Sequence, residues 1–151
     1  MRDKDVLTPA ELAKEKEMPR GGVIPYYIQD GEIRMLFMVP SDPKYGGPAW
    51  QIAKGKIDPE DASVEEGAFR EAQEELGLFL PNVIERHDLG VFGKIHMFLA
   101  HIKDPNLFGA HDDETGAVRW MNPSEFQAEG RDWQRPIVKA AVRLISRKDN
   151  V

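Results

Sequence analysis

The sequence contains no cysteine, which excludes disulfide frameworks, thiolate metal sites and cysteine nucleophiles. It has no long hydrophobic run: the longest, Met35 to Val39, is far too short to cross a bilayer. The opening stretch MRDKDVLTPA lacks the apolar segment of a leader, so a soluble, cytoplasmic protein is the expectation. Positive charge is also scarce. Lys and Arg number 20 against 26 Asp and Glu, a formal net charge of -6 that argues against unaided binding of a polyanion such as nucleic acid. Histidine is sparse and isolated, without metal-ligand spacing. His96 and His101 fall in or beside an expected strand and read as structural, whereas His87 and His111 read as loop residues.

What remains is an ordinary globular composition, 41% hydrophobic and 30% charged, in 151 residues. That length predicts one domain, spanning 1–151, with a core of its own. LTPAEL predicts a short helix capped by Thr8 with Pro9 at its first position. GVIPYYIQDGEIRMLFMVP predicts two strands joined at Asp30–Gly31, and Pro25 inside the first predicts an edge strand or a bulge. WQIAKGK reads as a short strand, and Ser63 to Leu76 as a helix stopped by Gly77. LPNVIERHDLGVFGK, IHMFLAHIKD and AVRWM hold further strands. NPSEF begins a helix with Asn122 as cap, Pro123 at the first position and Glu125 capping in return. The tail is an amphipathic helix. Its Arg135, Lys139, Arg143 and Arg147 form a solvent stripe while Ile137, Ala141, Leu144 and Ile145 pack inward. Together these elements predict an α/β or α+β layered domain.

The most unusual segment is GKIDPEDASVEEGAFREAQEELGL. From Asp58 to Glu75 it holds eight carboxylates (Asp58, Glu60, Asp61, Glu65, Glu66, Glu71, Glu74, Glu75) and one cation, Arg70. At about 100° per residue, Glu71, Glu74 and Glu75 share one helix face, beside the face of Ala68, Phe69, Ala72 and Leu76. Like charges at these spacings repel by a few tenths of a kcal/mol per pair. Two readings are open: a solvated face in which Arg70 pairs with Glu66 and Glu74, or a cradle for a cation. Gly67, one turn earlier on that face, costs ~1 kcal/mol relative to Ala and leaves room above the carboxylates. Oxygen-only ligands suit Mg²⁺ or Mn²⁺, and such an ion would reconcile an acidic protein with a phosphate substrate. Lys54 and Lys56, just before the run, are available to phosphate.

This segment resembles the box of the Nudix family, G-x5-E-x7-R-E-U-x-E-E-x-G-U, with U a bulky aliphatic residue. Gly55, Arg70–Glu71, Glu74–Glu75, Gly77 and Leu78 match in register. Asp61 stands where the first Glu belongs, and the gap from there to Arg70 is one residue longer, so either Glu60 or Asp61 fills that slot or it is vacant. Ala72 replaces a larger aliphatic residue. Length and element order also resemble small bacteriophage-encoded members.

The resemblance implies an α/β/α sandwich with a mixed sheet and a loop-helix carrying the box. It implies a metal-dependent hydrolase of a nucleoside diphosphate linked to another moiety, using Mg²⁺ or Mn²⁺ to acidify water and clamp the diphosphate. By the same resemblance Glu74, Glu75 and the Gly55 carbonyl would bind metal, Glu71 would be a further ligand or accept the water's proton, and Arg70 would orient the carboxylates. HDDETGAVRW offers Glu114, with Asp113 second, as a loop carboxylate. WQIAKGK resembles the Trp-x-x-Pro-Lys-Gly entry of dinucleoside polyphosphate hydrolases, with Ala53 for the proline. Dinucleoside polyphosphates, ADP-ribose-like or FAD-like dinucleotides are the expected substrates, capped RNA ends a further option, and relatives often pair as homodimers. Near GGPAW, Tyr45 and Trp50 are aromatics available to a base, although Trp50 reads as core. Two other classes compete: a silent nucleotide-binding sensor, and a calcium-binding protein, which lacks the alternating Asp/Asn loop.

Overall fold

The structure, a computed structural model, describes residues 19–45 and 47–149. The helix expected at Thr8 and Pro9 lies outside the described residues. The strands are β1 (Arg20–Gln29), β2 (Glu32–Pro40), β3 (Ala53–Lys56), β4 (Val83–Phe92), β5 (Ile95–Ile102) and β6 (Thr115–Met121). The helices are α1 (Val64–Leu76), α2 (Pro123–Glu129) and α3 (Arg135–Asp149). Asp30 (φ 53°) and Gly31 (φ 80°) both take the left-handed conformation that a two-residue hairpin turn demands, and they join β1 to β2.

The sheet runs β4-β5-β1-β2-β6, with β3 pairing to β1. β1 and β5 are parallel and the other pairs antiparallel. β1 is therefore central, which corrects the edge position inferred from Pro25. A gap makes the proline tolerable. β3 partners Arg20 to Val23 and β2 partners Tyr26 to Gln29, so Ile24 and Pro25 have no antiparallel register partner. A missing donor is least costly there.

Alternation along the strands sends side chains into two layers of helix. On one face Ile24, Met35 and Phe37 meet Phe126 of α2 and Ile137, Val138, Ala141 and Ile145 of α3. The Phe37 and Phe126 rings lie 4.1 Å apart. On the other face Val23, Phe98, Ala100 and Ile102 meet Ala68, Phe69 and Ala72 of α1. The result is the expected α/β/α sandwich on a mixed sheet. Each fully buried large apolar side chain contributes about 1.5–3 kcal/mol. On α3, Lys139, Arg143 and Arg147 face solvent as the periodicity predicts. His87 is corrected from loop to strand: it is buried in β4, 6.4 Å from the Tyr26 ring, and burial pushes its pKa down. Among the described residues no helix is long and apolar enough to cross a membrane.

Helix α1 is closed at both ends by local chemistry. The Ser63 hydroxyl accepts the Glu66 N–H at 3.1 Å, satisfying one of the first-turn donors. Gly77 adopts φ 72° and its N–H returns to the Gln73 carbonyl. The segment before β6 then docks on the helix end. Gly109 N–H donates to the Gly77 carbonyl (2.7 Å), Asp112 N–H to that of Glu74 (2.7 Å), and the Thr115 hydroxyl to that of Glu75 (2.8 Å). Carbonyls without intrahelical partners thereby pull a distant loop onto the acidic face.

A Cβ at Gly77 would collide with the Gly109 carbonyl, and the left-handed backbone alone costs a non-glycine about 1–3 kcal/mol. Gly77→Ala is therefore expected to lower the urea midpoint by at least that free energy. An unchanged midpoint would show that the loop is not held at this position.

Candidate active site

Arg70 organises the acidic segment. Its Nε and Nη2 donate to the two Asp61 oxygens at 3.0 and 3.1 Å, a bidentate pair. Nη2 also meets Asp58 at 3.2 Å and the Lys56 carbonyl at 3.3 Å. Nη1 reaches Glu71 at 3.2 Å and Glu74 at 3.3 Å. The expected partner Glu66 is not among these contacts: Arg86 of β4 takes Glu65 and Glu66, each at 3.2 Å. Asp61, not Glu60, fills the first acidic slot. It also accepts the Asp58 N–H at 2.7 Å, which folds the longer loop back on itself. Hydrogen bonding to Arg70 holds the Asp61 carboxyl below its ordinary range.

Gly67 has a use that its helix position did not reveal. A Cβ there would fall 2.7 Å from an Asp61 oxygen and from Ile57 Cδ1, so the loop fills the space expected above the carboxylates. Gly55 plays the same part beneath Glu71, whose carboxyl group occupies the place a side chain at 55 would need. The acidic helix and β3 approach this closely because both contact points lack a side chain.

The three glutamates differ in environment. Glu74 is exposed, while Glu71 is half-buried and burial pushes its carboxyl up. Glu75 accepts the Lys54 N–H at 2.7 Å, and burial, with the charge of Glu71 next, pushes it up to about 8. In both carboxylates burial outweighs the nearby cations, Arg70 for Glu71 and Lys54 for Glu75. A hard divalent cation fits this donor set of oxygens. Among the described residues no three such groups are arranged around one ion, with Glu71 and Glu74 turned onto Arg70.

Beside the glutamates opens a cavity of about 310 Å³. Its wall includes Met38, Tyr45, Gln51, Lys54, Glu75 and Glu114. The structure brings Glu114, the candidate loop carboxylate, to the same cavity as Glu75, and Tyr45 is 75% exposed at its wall. Trp50 packs against the core, as the sequence reading favours, and does not line this cavity. Lys54 and Lys56 alternate with Gly55 on β3, so their side chains leave the sheet on the face opposite Glu71. Sequence reasoning missed Asp112 and Thr115, which tie the Glu114 segment to the helix end. No local pattern marks them, because their partners are carbonyls about 40 residues away.

A family model described as NUDIX domain matches residues 18–141. Among solved structures, an Ap4A hydrolase of C. elegans in a binary complex is similar, with TM-score 0.68 and 18% identity over 85% of this chain and 98% of that one. A Nudix hydrolase from M. smegmatis, RenU, gives 0.67 and 16% over 85% and 88%. The NUDIX domain of Shewanella oneidensis NrtR, complexed with ADP ribose, gives 0.63 and 16% over 91% and 99%. No curated protein sequence matches the chain.

Asp61→Asn should weaken the Arg70 hub by about 1–3 kcal/mol at neutral pH, in proportion to a hydrogen bond to a charged group. The folded-state pKa of Asp61 lies below its ordinary 3.8. Its contribution is therefore full above that value and disappears as pH falls through the folded pKa. Urea titrations should show a wild-type advantage that closes only in strong acid. An advantage independent of pH would contradict the ion pair.

Proposed function

The chain belongs to the Nudix family, and from this membership we propose that it is a pyrophosphohydrolase that cleaves the diphosphate bridge of a nucleoside diphosphate joined to a second moiety. Dinucleoside polyphosphates and ADP-ribose-like compounds are the substrate classes. One observation carries the reading: the Glu71–Glu74–Glu75 face of α1 opens, through Glu75, into the cavity that also receives Glu114.

In this reading Glu74 and Glu75, with the Gly55 carbonyl and Glu71, hold Mg²⁺ or Mn²⁺. When bound, the ion supplies charge neutralisation on the diphosphate and acidification of water. The remaining work belongs to the side chains. Glu71, half-buried beside the other two glutamates, is placed to accept a proton from water, a step that typically adds ~100- to 10,000-fold. Glu114 offers a second acceptor across the cavity. Glu71 and Glu74, held by the longer Arg70 contacts, would be the carboxylates to turn to the ion, while Asp61 and Asp58 retain the guanidinium. Lys54, on the cavity wall, would neutralise phosphate oxygens beyond the bridge, with Lys56 next along the same face of β3. A silent ligand-binding sensor is the competing reading, given an ADP-ribose-bound domain of the same fold. The retained Glu74–Glu75 pair favours turnover, since binding alone has little need of both.

Incubation with diadenosine tetraphosphate or ADP-ribose and Mg²⁺ is expected to release a nucleotide product, and EDTA to abolish release. Glu74→Gln should lower kcat by about 100-fold or more with an unchanged unfolding transition. Turnover in EDTA, or near-normal turnover in Glu74→Gln, would remove the role assigned to the helix.

A further inference from the structure

Lys54 belongs to two sites at once. Its N–H holds Glu75, whereas its Nζ ends 5.7 Å from the centre of the Trp133 ring. Arg131 approaches the same ring, with Cζ at 5.5 Å. Arg20 faces Lys56 across the β1–β3 ladder and so shares the sheet face of Lys54. Among the described residues, Arg20, Lys54 and Arg131 have no carboxylate at ion-pair distance; the solvent-facing Lys139, Arg143 and Arg147 of α3 have none either, but only the first three are gathered around one aromatic ring and one another. Burial first, and then the charges of Arg20 and Arg131, push the Lys54 pKa down against the opposing pull of Glu75 and Glu71. Gathering three mutually repelling cations in a protein of net charge -6 calls for an anion.

The aromatic ring between them is held in place. Gln134, next to Trp133 in the short 3-10 turn Asp132–Gln134, is fully buried and accepts the Ile52 N–H at 2.7 Å. Arg131 N–H donates to the Trp50 carbonyl at 2.9 Å. The turn is thus anchored on both sides to the chain entering β3. Trp133 itself remains 46% exposed. Covering an apolar ring with the stems of long cationic side chains is a common surface arrangement. It does not require three cations without acidic partners, nor a link through one residue to Glu75.

We propose that Trp133, flanked by Arg131, Lys54 and Arg20, is a second subsite that takes the distal nucleotide of a two-headed substrate. The distal base stacks on the indole and the phosphates lie among the three cations. The inference rests on the function proposed above and narrows its substrate class to dinucleoside polyphosphates. Lys54 lines the cavity that holds Glu75 and its Nζ approaches the indole, so a polyphosphate chain would run along this side chain from one to the other.

The test compares kcat/KM for diadenosine tetraphosphate and for ADP-ribose, which has no second base. Trp133→Ala should reduce the value for the dinucleotide about tenfold, through KM, the range of one lost base–aromatic stack. The loss on ADP-ribose should be several-fold smaller. Trp133→Phe should recover most of the dinucleotide activity, and Arg131→Gln should raise KM for the dinucleotide in the same selective way. Equal losses on both compounds, or no loss on either, would overturn the subsite. Should the unaltered protein hydrolyse neither compound, the functional reading fails separately. The subsite is then scored by tryptophan fluorescence in EDTA: quenching by the dinucleotide that disappears in Trp133→Phe supports it, and quenching that persists overturns it.

Discussion

The fold around the candidate site depends on one guanidinium facing four carboxylates. Arg70 is the only cation within the acidic segment, and its contacts reach Asp58 and Asp61 in the loop and Glu71 and Glu74 on the helix. Remove it, and the loop loses its attachment to the helix while the repulsion among those acids is unopposed. Exposed ion pairs contribute little, but the Asp61 pair is bidentate and the Asp61 side chain is only 10% exposed. The strength of the hub therefore lies on the loop side. The helix-side contacts, to partly exposed Glu71 and exposed Glu74, are longer and weaker.

A second constraint acts from the other end of α1. The last-turn carbonyls carry partial negative charge and no intrahelical donors. They are met by Gly109, Asp112 and Thr115, so stabilising the helix end also delivers Glu114 to the cavity wall. Close packing at Gly55 and Gly67 and capping at Gly77 thus serve the same purpose from opposite ends. Backbone stability and the placement of charge are one arrangement.

Much of this was legible in the sequence wherever the determinant was local. Ser63 and Gly77 bound α1, Asp30–Gly31 turns the first hairpin, and Asn122 with Glu125 forms a reciprocal cap, each fixed by residues within a few positions. The register of Arg70, Glu71, Glu74 and Glu75 is equally local, because helix geometry alone puts the glutamates on one face. Long-range partners were not legible. Pro25 reads as an edge residue until β3 and β2 are seen to divide β1 between them. The choice between Glu60 and Asp61 depends on how a longer loop closes. Trp133 gives no periodic signal, and its importance appears only when Gln134 fastens its turn to Ile52.

The central claim is that the glutamate face of α1 receives a divalent cation while Asp61 keeps Arg70 in place. Crystals of the protein grown with manganese and a dinucleotide analogue test it directly. An anomalous peak bounded by Glu71, Glu74 and Glu75 is expected, with the bidentate Arg70–Asp61 pair intact. Glutamates still turned onto Arg70, with no anomalous density between them and the nucleotide, would contradict it.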